Sequence, residues 1–462
     1  MRGRLLIFLG VIIAGCGRPP GPPAPTTSEI LPSTTATLAE TASAPLAAPT
    51  WSDTDWPGWR GPSEDGISTG PAVPVVWNES ENVLWKTRLP GRGHASPVVL
   101  EDTIYVATAD DADQTQAVIA IDKHRGKRLW KTPLFTGKFE AQARMHDENS
   151  HASSTLATDG ERLFAVFLND QRIWCSALDL DGNELWRMEA GGFASRFGYS
   201  VSPVVFGRLV IVAADHEQGG FVAGLDRGNG NIVWRRKRDA FASYATPRVV
   251  RLGDKDLLVL SGGNTIMAYD PRTGEELWSV KGTAQSTVST VVTYRDLVIA
   301  SGGYPDSETI ALRADGSVAW RNKEKTYVPS MIVVSDHLYF VQDDGIARCW
   351  DAATGKERWK HRIGGKYRAS PVFSGGNLFV TDMAGKTVVF KADPRRFELV
   401  AENQLGTEGF ASPAVSDGRL YLRVADGHGP DRQEALYCIG EREPPVRNTR
   451  LPRGSSPPLT LR

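Results

Sequence analysis

Four stretches of the chain share one pattern: IDKHRGKRLW (residues 121–130), LDRGNGNIVW (225–234), YDPRTGEELW (269–278) and WDAATGKERW (350–359). In each stretch an Asp begins a turn, a Gly takes the left-handed backbone conformation, and a new strand leads into a Trp. The tryptophans of this series are Trp85, Trp130, Trp186, Trp234, Trp278, Trp320 and Trp359. The pattern predicts a repeated unit whose last strand carries a Trp.

A second series of residues marks the start of each unit. A Ser or Thr opens the next strand at Ser96, Ser154, Ser202, Thr246, Ser289, Ser330, Ser370 and Ser412, positions that are 40 to 58 residues apart. The apolar residues between these positions alternate along short segments, which is typical of strands and excludes helical repeats. A period of about 40 to 45 residues with four strands per unit predicts an all-β propeller of four-stranded antiparallel blades.

The number of blades follows from how the units begin and end. Eight Ser/Thr openings accompany seven Trp closings, and the seventh unit has Val400 or Ala401 where the Trp would fall. The eighth unit, from Ser412 to Ile439, has only three strands, whereas the strand around Trp85 precedes the first complete unit. Joining these two pieces closes the ring and removes two exposed sheet edges. We therefore expect an eight-bladed β-propeller whose tryptophans pack between blades rather than on a ligand.

The repeats resemble the PQQ-like (pyrroloquinoline quinone) repeats shared by quinoprotein dehydrogenases and the BamB outer-membrane assembly lipoproteins. The signature A-x-D-x-x-T-G-x-x-x-W is well preserved at residues 269–278 and 350–359, and the resemblance extends from about Trp56 to Gly440. The opening WPGWRGP (residues 56–62) is similar to the start of exported propeller lipoproteins of this class. The resemblance is a strong indication of the fold but a weak indication of PQQ itself, because the repeat packs blades and does not contact the cofactor.

The resemblance to the BamB class implies a non-catalytic, monomeric scaffold that binds other envelope proteins or an extended peptide and supports β-barrel insertion. The first alternative is a quinoprotein oxidoreductase that uses PQQ with calcium. Such dehydrogenases carry two adjacent cysteines over the quinone, whereas Cys175, Cys349 and Cys438 are far apart in apolar strands and no C-x-x-C-H haem motif is present. The second alternative is a propeller that binds a carbohydrate or another small ligand on stacked Trp and Tyr. We expect no cofactor.

The two ends of the chain predict export and a membrane anchor. Residues 1–16 combine a basic start, an apolar stretch too short to span a bilayer, and an Ala-Gly-Cys ending that resembles the bacterial lipobox. This predicts a signal peptide and a lipid on Cys16, and the Gly after it favours the outer membrane, facing the periplasm. Residues 17–50 and 441–462 predict a disordered tether and tail on either side of a propeller at 51–440.

Charge and motif content exclude several classes of protein. The chain has 53 Lys and Arg against 54 Asp and Glu, with a net charge of −1. Affinity for phosphate backbones needs clustered positive charge, so we expect no nucleic-acid binding. The sequence has neither a P-loop nor a G-x-G-x-x-G motif between a strand and a helix. We assign no catalytic residue.

A cluster of polar residues lies in the longest connection between blades. His146, Asp147, Glu148 and His151 place two imidazoles and two carboxylates within six residues, a combination that could bind a divalent metal ion. The spacing matches no established metal site. We therefore favour a hydrogen-bonded polar loop that lies across one face of the propeller.

The residues two or three positions before each Ser/Thr opening are predicted to surround one mouth of the central channel. In chain order they are His94, His151, Tyr199, Tyr244, Gln285, Tyr327, Tyr367 with Arg368, and Phe410. Side chains with an apolar body and a polar tip suit the binding of a peptide or small ligand. The same rings could instead pack against one another and plug the channel, and the sequence leaves both possibilities open.

Overall fold

The computed structural model describes residues 49–139, 145–195, 197–427 and 429–442. The predicted signal peptide, Cys16, most of the tether and most of the tail lie outside these residues. Within them, 32 strands form eight separate four-stranded antiparallel sheets, which confirms the predicted eight-bladed propeller. Among the described residues, no helix has the length and apolarity needed to span a bilayer.

Seven blades consist of four consecutive strands each, ordered from the channel to the outside. Blade 1 contains β2 (Val98–Leu100), β3 (Thr103–Asp110), β4 (Thr115–Asp122) and β5 (Arg128–Thr136), and blade 2 contains β6 (Ala157–Thr158), β7 (Arg162–Asn169), β8 (Arg172–Asp179) and β9 (Glu184–Gly192). Blade 3 contains β10 (Val204–Phe206), β11 (Leu209–Ala214), β12 (Gly220–Asp226) and β13 (Ile232–Arg238), and blade 4 contains β14 (Arg248–Leu252), β15 (Lys255–Gly262), β16 (Thr265–Tyr269) and β17 (Glu276–Lys281). Blade 5 contains β18 (Val292–Tyr294), β19 (Leu297–Gly302), β20 (Glu308–Arg313) and β21 (Val318–Asn322), and blade 6 contains β22 (Ile332–Val334), β23 (His337–Val341), β24 (Ile346–Asp351) and β25 (Glu357–Arg362). Blade 7 contains β26 (Val372–Ser374), β27 (Asn377–Thr381), β28 (Lys386–Lys391) and β29 (Leu399–Gln404).

Blade 8 joins the two ends of the repeat region. It contains β30 (Ala414–Ser416), β31 (Arg419–Asp426), β32 (Gln433–Ile439) and, as its outer strand, β1 (Val83–Leu89); a 3₁₀ helix spans Gly429–Asp431. Strand β1 pairs antiparallel with β32 and places Trp85 opposite Cys438. The prediction that the Trp85 strand completes the eighth unit is therefore confirmed.

A buried ion pair locks blade 8 to blade 1. The guanidinium of Arg423 donates to the carboxylate of Glu434, and each side chain is 1% exposed. Arg423 also donates to the Ala107 carbonyl oxygen of blade 1 at 2.8 Å, and the backbone N–H of Gly93 donates to Glu434. The seam where the ring closes is thus held by charged groups that water cannot reach, in addition to the β1–β32 strand pairing.

Each of the seven repeat tryptophans, which we call the interblade tryptophans, links its own blade to the next one. Its indole Nε1 donates to a carbonyl oxygen in the turn between the third and fourth strands of the next blade, at 2.8 to 3.2 Å. The ring lies against the Gly of that turn in six of the seven cases; at Gly274, for example, a Cβ atom would come within 2.4 Å of Trp234. The prediction that these tryptophans pack between blades is confirmed.

Blade 7 lacks an interblade tryptophan, and the structure shows why. Ala401 occupies the position and lies opposite Val389, whereas the seven tryptophans lie opposite Ala, Gly or Cys. The neighbouring blade 8 has no turn to receive an indole there, because its third and fourth strands come from opposite ends of the repeat region. Trp77 covers the place instead, with its backbone N–H on Asn403 Oδ1 at 2.8 Å and its ring stacked on Phe379.

Residues 51–77, which we call the base strap, cross the face of the propeller at which the innermost strands end. The backbone N–H of Trp56 donates to the Val99 carbonyl oxygen of β2 at 2.7 Å, and the N–H of Ser68 donates to the Phe373 carbonyl oxygen of β26 at 2.9 Å. Arg248 of blade 4 donates to the carbonyl oxygen of Ser63 at 2.7 Å. The base strap therefore closes one face of the propeller and leaves the other face as the mouth.

Candidate functional site

A ring of hydroxyl groups surrounds the channel, with one residue from each blade. Within the described residues, the backbone N–H of six members donates to the hydroxyl of the next blade, at 2.8 to 3.2 Å. The eight members of this hydroxyl ring are Ser96, Thr155, Ser202, Thr246, Thr290, Ser330, Ser370 and Ser412. The ring explains the Ser/Thr series in the sequence, because six of the eight hydroxyls accept a backbone N–H from the preceding blade and so join two blades next to the axis.

The Ser/Thr openings predicted from the sequence placed two members of the hydroxyl ring one residue too early. In blades 2 and 5 the ring residues are Thr155 and Thr290, not Ser154 and Ser289. The hydroxyl oxygens of Ser154 and Ser289 are buried without a hydrogen-bond partner among the described residues. Adjacent side chains of an extended chain point to opposite sides, so only one of two neighbouring hydroxyl residues can join the ring.

A cavity of about 780 Å³ occupies the channel and receives residues from all eight blades. The residue two positions before each ring hydroxyl lines it, since side chains two apart in an extended chain lie on the same side. These eight residues, which we call the mouth residues, are His94, Ser153, Ser200, Tyr244, Val288, Val328, Arg368 and Phe410. Trp59 of the base strap lines the opposite end and donates its indole N–H to Thr290 Oγ1 at 3.1 Å.

Six of the nine residues predicted for the mouth do line this cavity: His94, Tyr244, Gln285, Tyr327, Arg368 and Phe410. His151, Tyr199 and Tyr367 do not. Tyr199 is buried, and its hydroxyl donates to the Ala213 carbonyl oxygen at 3.0 Å. Tyr367 is fully buried, and His151 packs against Phe139. These three lie three or four positions before a ring hydroxyl, but that offset alone does not decide the outcome, since Tyr327 also lies three positions before its ring hydroxyl and lines the cavity.

The mouth residues of blades 1 and 8 meet in a stacked pair. The imidazole of His94 lies on the ring of Phe410 with a centroid separation of 4.1 Å. Burial, together with the nearby Arg92 and Arg423, keeps the pKa of His94 well below its usual range, so this imidazole is neutral. Among the described mouth residues, this is the one pair that packs ring on ring in the way a plugged channel requires. The cavity remains open beside it.

The loop with the polar cluster lies across the mouth, as we favoured from the sequence. Glu148 accepts a hydrogen bond from Arg368 Nε at 2.6 Å, which connects the loop after blade 1 to blade 7. Arg368 also donates to Asp343 at 3.2 Å, and burial raises the pKa of Asp343 although Arg368 opposes that shift. The guanidinium is therefore held between two carboxylates at the entrance to the channel.

The other members of that cluster serve the loop itself. The backbone N–H of Glu148 donates to His146 Nδ1 at 3.2 Å, and the Asp147 carbonyl oxygen accepts from Arg92 at 2.7 Å. Burial lowers the pKa of His151 to about 4. Within the part of the chain that the structure describes, no three His, Cys, Asp or Glu side chains come close enough to hold a metal ion.

Sequence reasoning missed several residues that form the site. Ser153, Ser200, Val288 and Val328 are mouth residues that lack the aromatic or charged character we looked for. The exposed ring of Tyr304 and the indole of Trp59 also line the cavity, although both lie outside the Ser/Thr series. The hydroxyl ring, read two positions back, would have identified all eight mouth residues from the sequence. Trp59 and Tyr304 carry no such periodic signal.

The lining of the cavity does not fit a calcium-bound quinone. Calcium takes six to eight oxygen ligands, usually including several carboxylates. The described lining offers the carboxylates of Glu148 and Glu217, and Glu148 is already bonded to Arg368. The three described cysteines are buried in separate blades, so no adjacent pair covers the channel. The described carboxylates and cysteines therefore give no basis for a redox step in this cavity.

Comparison with known proteins identifies relatives of this propeller. The family model described as outer membrane protein assembly factor BamB matches residues 67–167, 114–361, 306–396 and 343–430. The chain is 22% identical over 347 residues to the BamB of Burkholderia pseudomallei, an alignment that covers 73% of this chain and 83% of that protein.

Two solved structures show the same fold. BamB from Moraxella catarrhalis is 18% identical with a TM-score of 0.56, covering 77% of this chain and 99% of that chain. Quinohemoprotein alcohol dehydrogenase from Comamonas testosteroni is 15% identical with a TM-score of 0.65, covering 85% of this chain and 82% of that chain. At these identities the likeness to solved structures concerns the fold alone. The family match extends from residue 67 to residue 430, well over half of the chain, and the chain belongs to the BamB family of outer membrane protein assembly factors.

Proposed function

We propose that this protein is a non-catalytic scaffold that takes part in the assembly of outer-membrane proteins. The observation that carries the proposal is the family match, which runs from residue 67 to residue 430 and so reaches every blade, ending just before β32. A match of that extent concerns the whole ring rather than one repeat. Relatives named as assembly factors support the same role.

The mouth is the surface at which we expect a partner protein or an extended peptide to dock. Tyr304 is 63% exposed and lines the same cavity as the mouth residues Tyr244 and Phe410. Exposed aromatic side chains on a rigid support are typical of binding surfaces, because little side-chain entropy is lost when they are covered. The Arg368 ion pairs hold the adjacent loop in place, so the surface is already formed before a partner arrives.

The proposal includes the place where the scaffold works. A lipid on Cys16 would hold a monomeric propeller at the outer membrane, on its periplasmic side. The names of the relatives support a position in the cell envelope. The anchor itself rests on the sequence of residues 1–16.

The test is deletion of the gene in the source organism, followed by measurement of folded β-barrel proteins in isolated outer membranes. We expect their amount to fall and to recover when the wild-type chain is returned. Recovery should be weaker with Cys16→Ser, which cannot be acylated, and with Tyr304→Ser, whereas the rim variant Leu277→Ser serves as the matched control. Unchanged β-barrel protein levels after deletion would contradict the proposal.

We also propose that the protein works without a redox cofactor, because the described lining of its cavity offers only the carboxylates of Glu148 and Glu217, fewer than a calcium-bound quinone requires. An absorbance titration of the purified chain with PQQ and calcium should therefore show no saturable binding, and a dye-linked alcohol oxidation assay should show no turnover. Stoichiometric binding with turnover would make the protein an oxidoreductase and overturn the scaffold proposal.

A further inference from the structure

We propose that the channel is a binding well for a neutral saccharide, with the mouth residues at its entrance and Trp59 as its floor. The well is the cavity of about 780 Å³, which lies in the size range of sites for small organic ligands. The inference does not rest on the role in outer-membrane assembly, since it concerns what the isolated propeller binds.

The wall of the well presents hydrogen-bond donors that no protein group uses among the residues that the structure describes. Six ring hydroxyls line it, and each is between 1% and 7% exposed: Thr155, Ser202, Thr246, Thr290, Ser370 and Ser412. Each of these oxygens already accepts a hydrogen bond, from a backbone N–H or, at Thr290, from the indole of Trp59.

A hydroxyl has one proton to donate in addition to its two lone pairs. Within the described part of the chain, none of these six hydroxyls donates to a protein acceptor. A ligand that enters the well therefore meets several O–H donors around one level of the channel, which suits a molecule rich in oxygen acceptors. A metal cation would leave these protons without an acceptor, whereas a ligand that carries hydroxyl groups can use both the proton and the second lone pair of each wall hydroxyl.

The charges around the well argue against an anion. The carboxylates that line it are Glu148 and Glu217, and its guanidinium is Arg368. Arg368 is already paired with Glu148 at 2.6 Å and with Asp343 at 3.2 Å, so its charge is compensated at the entrance. An anionic ligand would have to displace these carboxylates or approach them. The remaining class is a neutral molecule with many oxygen acceptors.

Aromatic rings at both ends of the well complete the match to a saccharide. The indole of Trp59 lies at the floor, and the rings of Tyr244, Tyr304 and Phe410 lie at the entrance. A pyranose ring has an apolar C–H face, which packs on an aromatic ring, and a polar edge of hydroxyl groups. The ring hydroxyls lie between floor and entrance, where they would contact that polar edge.

The test is saturation-transfer NMR with the purified full chain and the neutral disaccharides maltose, cellobiose and diacetylchitobiose, with glucuronate as the anionic comparison. We expect saturable transfer to at least one neutral disaccharide and none to glucuronate. Thr246→Val removes one donor and Tyr304→Ser removes one ring; each should raise the dissociation constant by about fivefold or more, since one hydrogen bond or ring contact is lost.

Two controls separate loss of binding from loss of structure. Thr387→Val removes a buried hydroxyl that bonds to Thr381 away from the channel, and Leu277→Ser removes an exposed apolar side chain on the rim. Both should bind like the wild type. Tyr304 is exposed, so its variant is expected to fold even if Thr246→Val does not. Absence of transfer to every neutral disaccharide, transfer to glucuronate alone, or unchanged binding by Tyr304→Ser would overturn the proposal.

Discussion

The outer edge and the axis of this propeller are built by the same repeat, yet the residue at the outer position is nearly constant from blade to blade whereas the residue at the axis varies. On the outer strands, seven of eight blades carry a Trp at the same register position. At the axis, the eight mouth residues are of six different types, from Ser and Val to Arg and Phe. This difference separates the positions that the ring needs for packing from the positions that it leaves free for binding.

The outer position is constrained because each indole must fit a particular neighbour. It packs on a Gly or a carbonyl of the next blade and lies opposite a small residue in its own sheet, so a change in one requires a change in the others. The exception supports this reasoning, because Ala401 occurs where the next blade offers no receiving turn. The mouth residues face an open cavity, and apart from ring contacts such as the stacked pair His94 and Phe410, no neighbouring blade within the described residues restricts their size.

The largest expected effect comes from removing an interblade tryptophan. Trp234 is 7% exposed and bonds to the Pro271 carbonyl oxygen at 3.1 Å. Trp234→Ala should lower the free energy of unfolding by about 3–5 kcal/mol, because it leaves a cavity between blades and a lost hydrogen bond. Urea unfolding followed by circular dichroism measures it. The adjacent Val233→Ala, at a half-exposed side chain, should change little; equal losses in both variants would contradict the packing role.

A slightly smaller effect is expected at the seam that closes the ring. Glu434→Gln removes the negative charge that compensates the buried Arg423 and should cost about 3 kcal/mol, since an unpaired buried charge is strongly destabilising. The exposed pair Lys138–Asp170 offers the control: Asp170→Asn should cost less than about 1 kcal/mol. Thermal and urea unfolding of both variants would measure this difference, and similar values would show that the seam does not depend on the buried pair.

Introducing the missing Trp into blade 7 should destabilise the protein rather than stabilise it. Ala401→Trp introduces an indole opposite Val389, next to a blade without a receiving turn, and should cost about 1–3 kcal/mol through overpacking. Adding Val389→Ala should recover part of the loss, because it recreates the small partner found in other blades. A gain in stability from Ala401→Trp alone would mean that the repeat, not the neighbouring blade, determines this position.

The smallest effect concerns pH and lies close to the mouth. Burial lowers the pKa of His151 from 6.5 in the unfolded chain to about 4 in the folded protein. Between these values the unfolded chain binds the extra proton, so the free energy of unfolding should fall as pH decreases from about 6.5 to 4. His151→Phe should reduce that slope. Unfolding midpoints measured across this pH range decide the matter, and an unchanged slope would show that another group is responsible.

The sequence predicted the scaffold well, because packing repeats in every blade. The Trp and Ser/Thr series predicted the number of blades and the closure by Trp85, and the missing fourth strand after Ile439 indicated where the chain ends meet. The sequence placed two members of the hydroxyl ring one residue too early, because Ser154 and Thr155 have similar side chains and the alternation of an extended chain decides between them.

The site was harder to predict, since its contacts join residues that are far apart in the chain. The bond between Glu148 and Arg368 spans 220 residues, and the bond between Trp59 and Thr290 spans 231 residues. In each pair one member, Glu148 or Trp59, lies outside the repeat, so no periodic signal connects the two residues. Every predicted residue that lies two positions before a ring hydroxyl lines the cavity, as Tyr244 and Phe410 do, whereas at three positions the outcome differs between Tyr327, which lines it, and Tyr199, which is buried.

The most direct test of the account is site-specific photo-cross-linking in living cells of the source organism. A photoreactive residue replaces Tyr304 at the mouth in one variant and Leu277 on the outer rim in another; both side chains are exposed. We predict that the mouth variant cross-links to a protein of the outer-membrane assembly machinery, identified by mass spectrometry, and that the rim variant does not. Cross-links to that machinery from the rim alone would contradict the claim that the mouth is the functional surface.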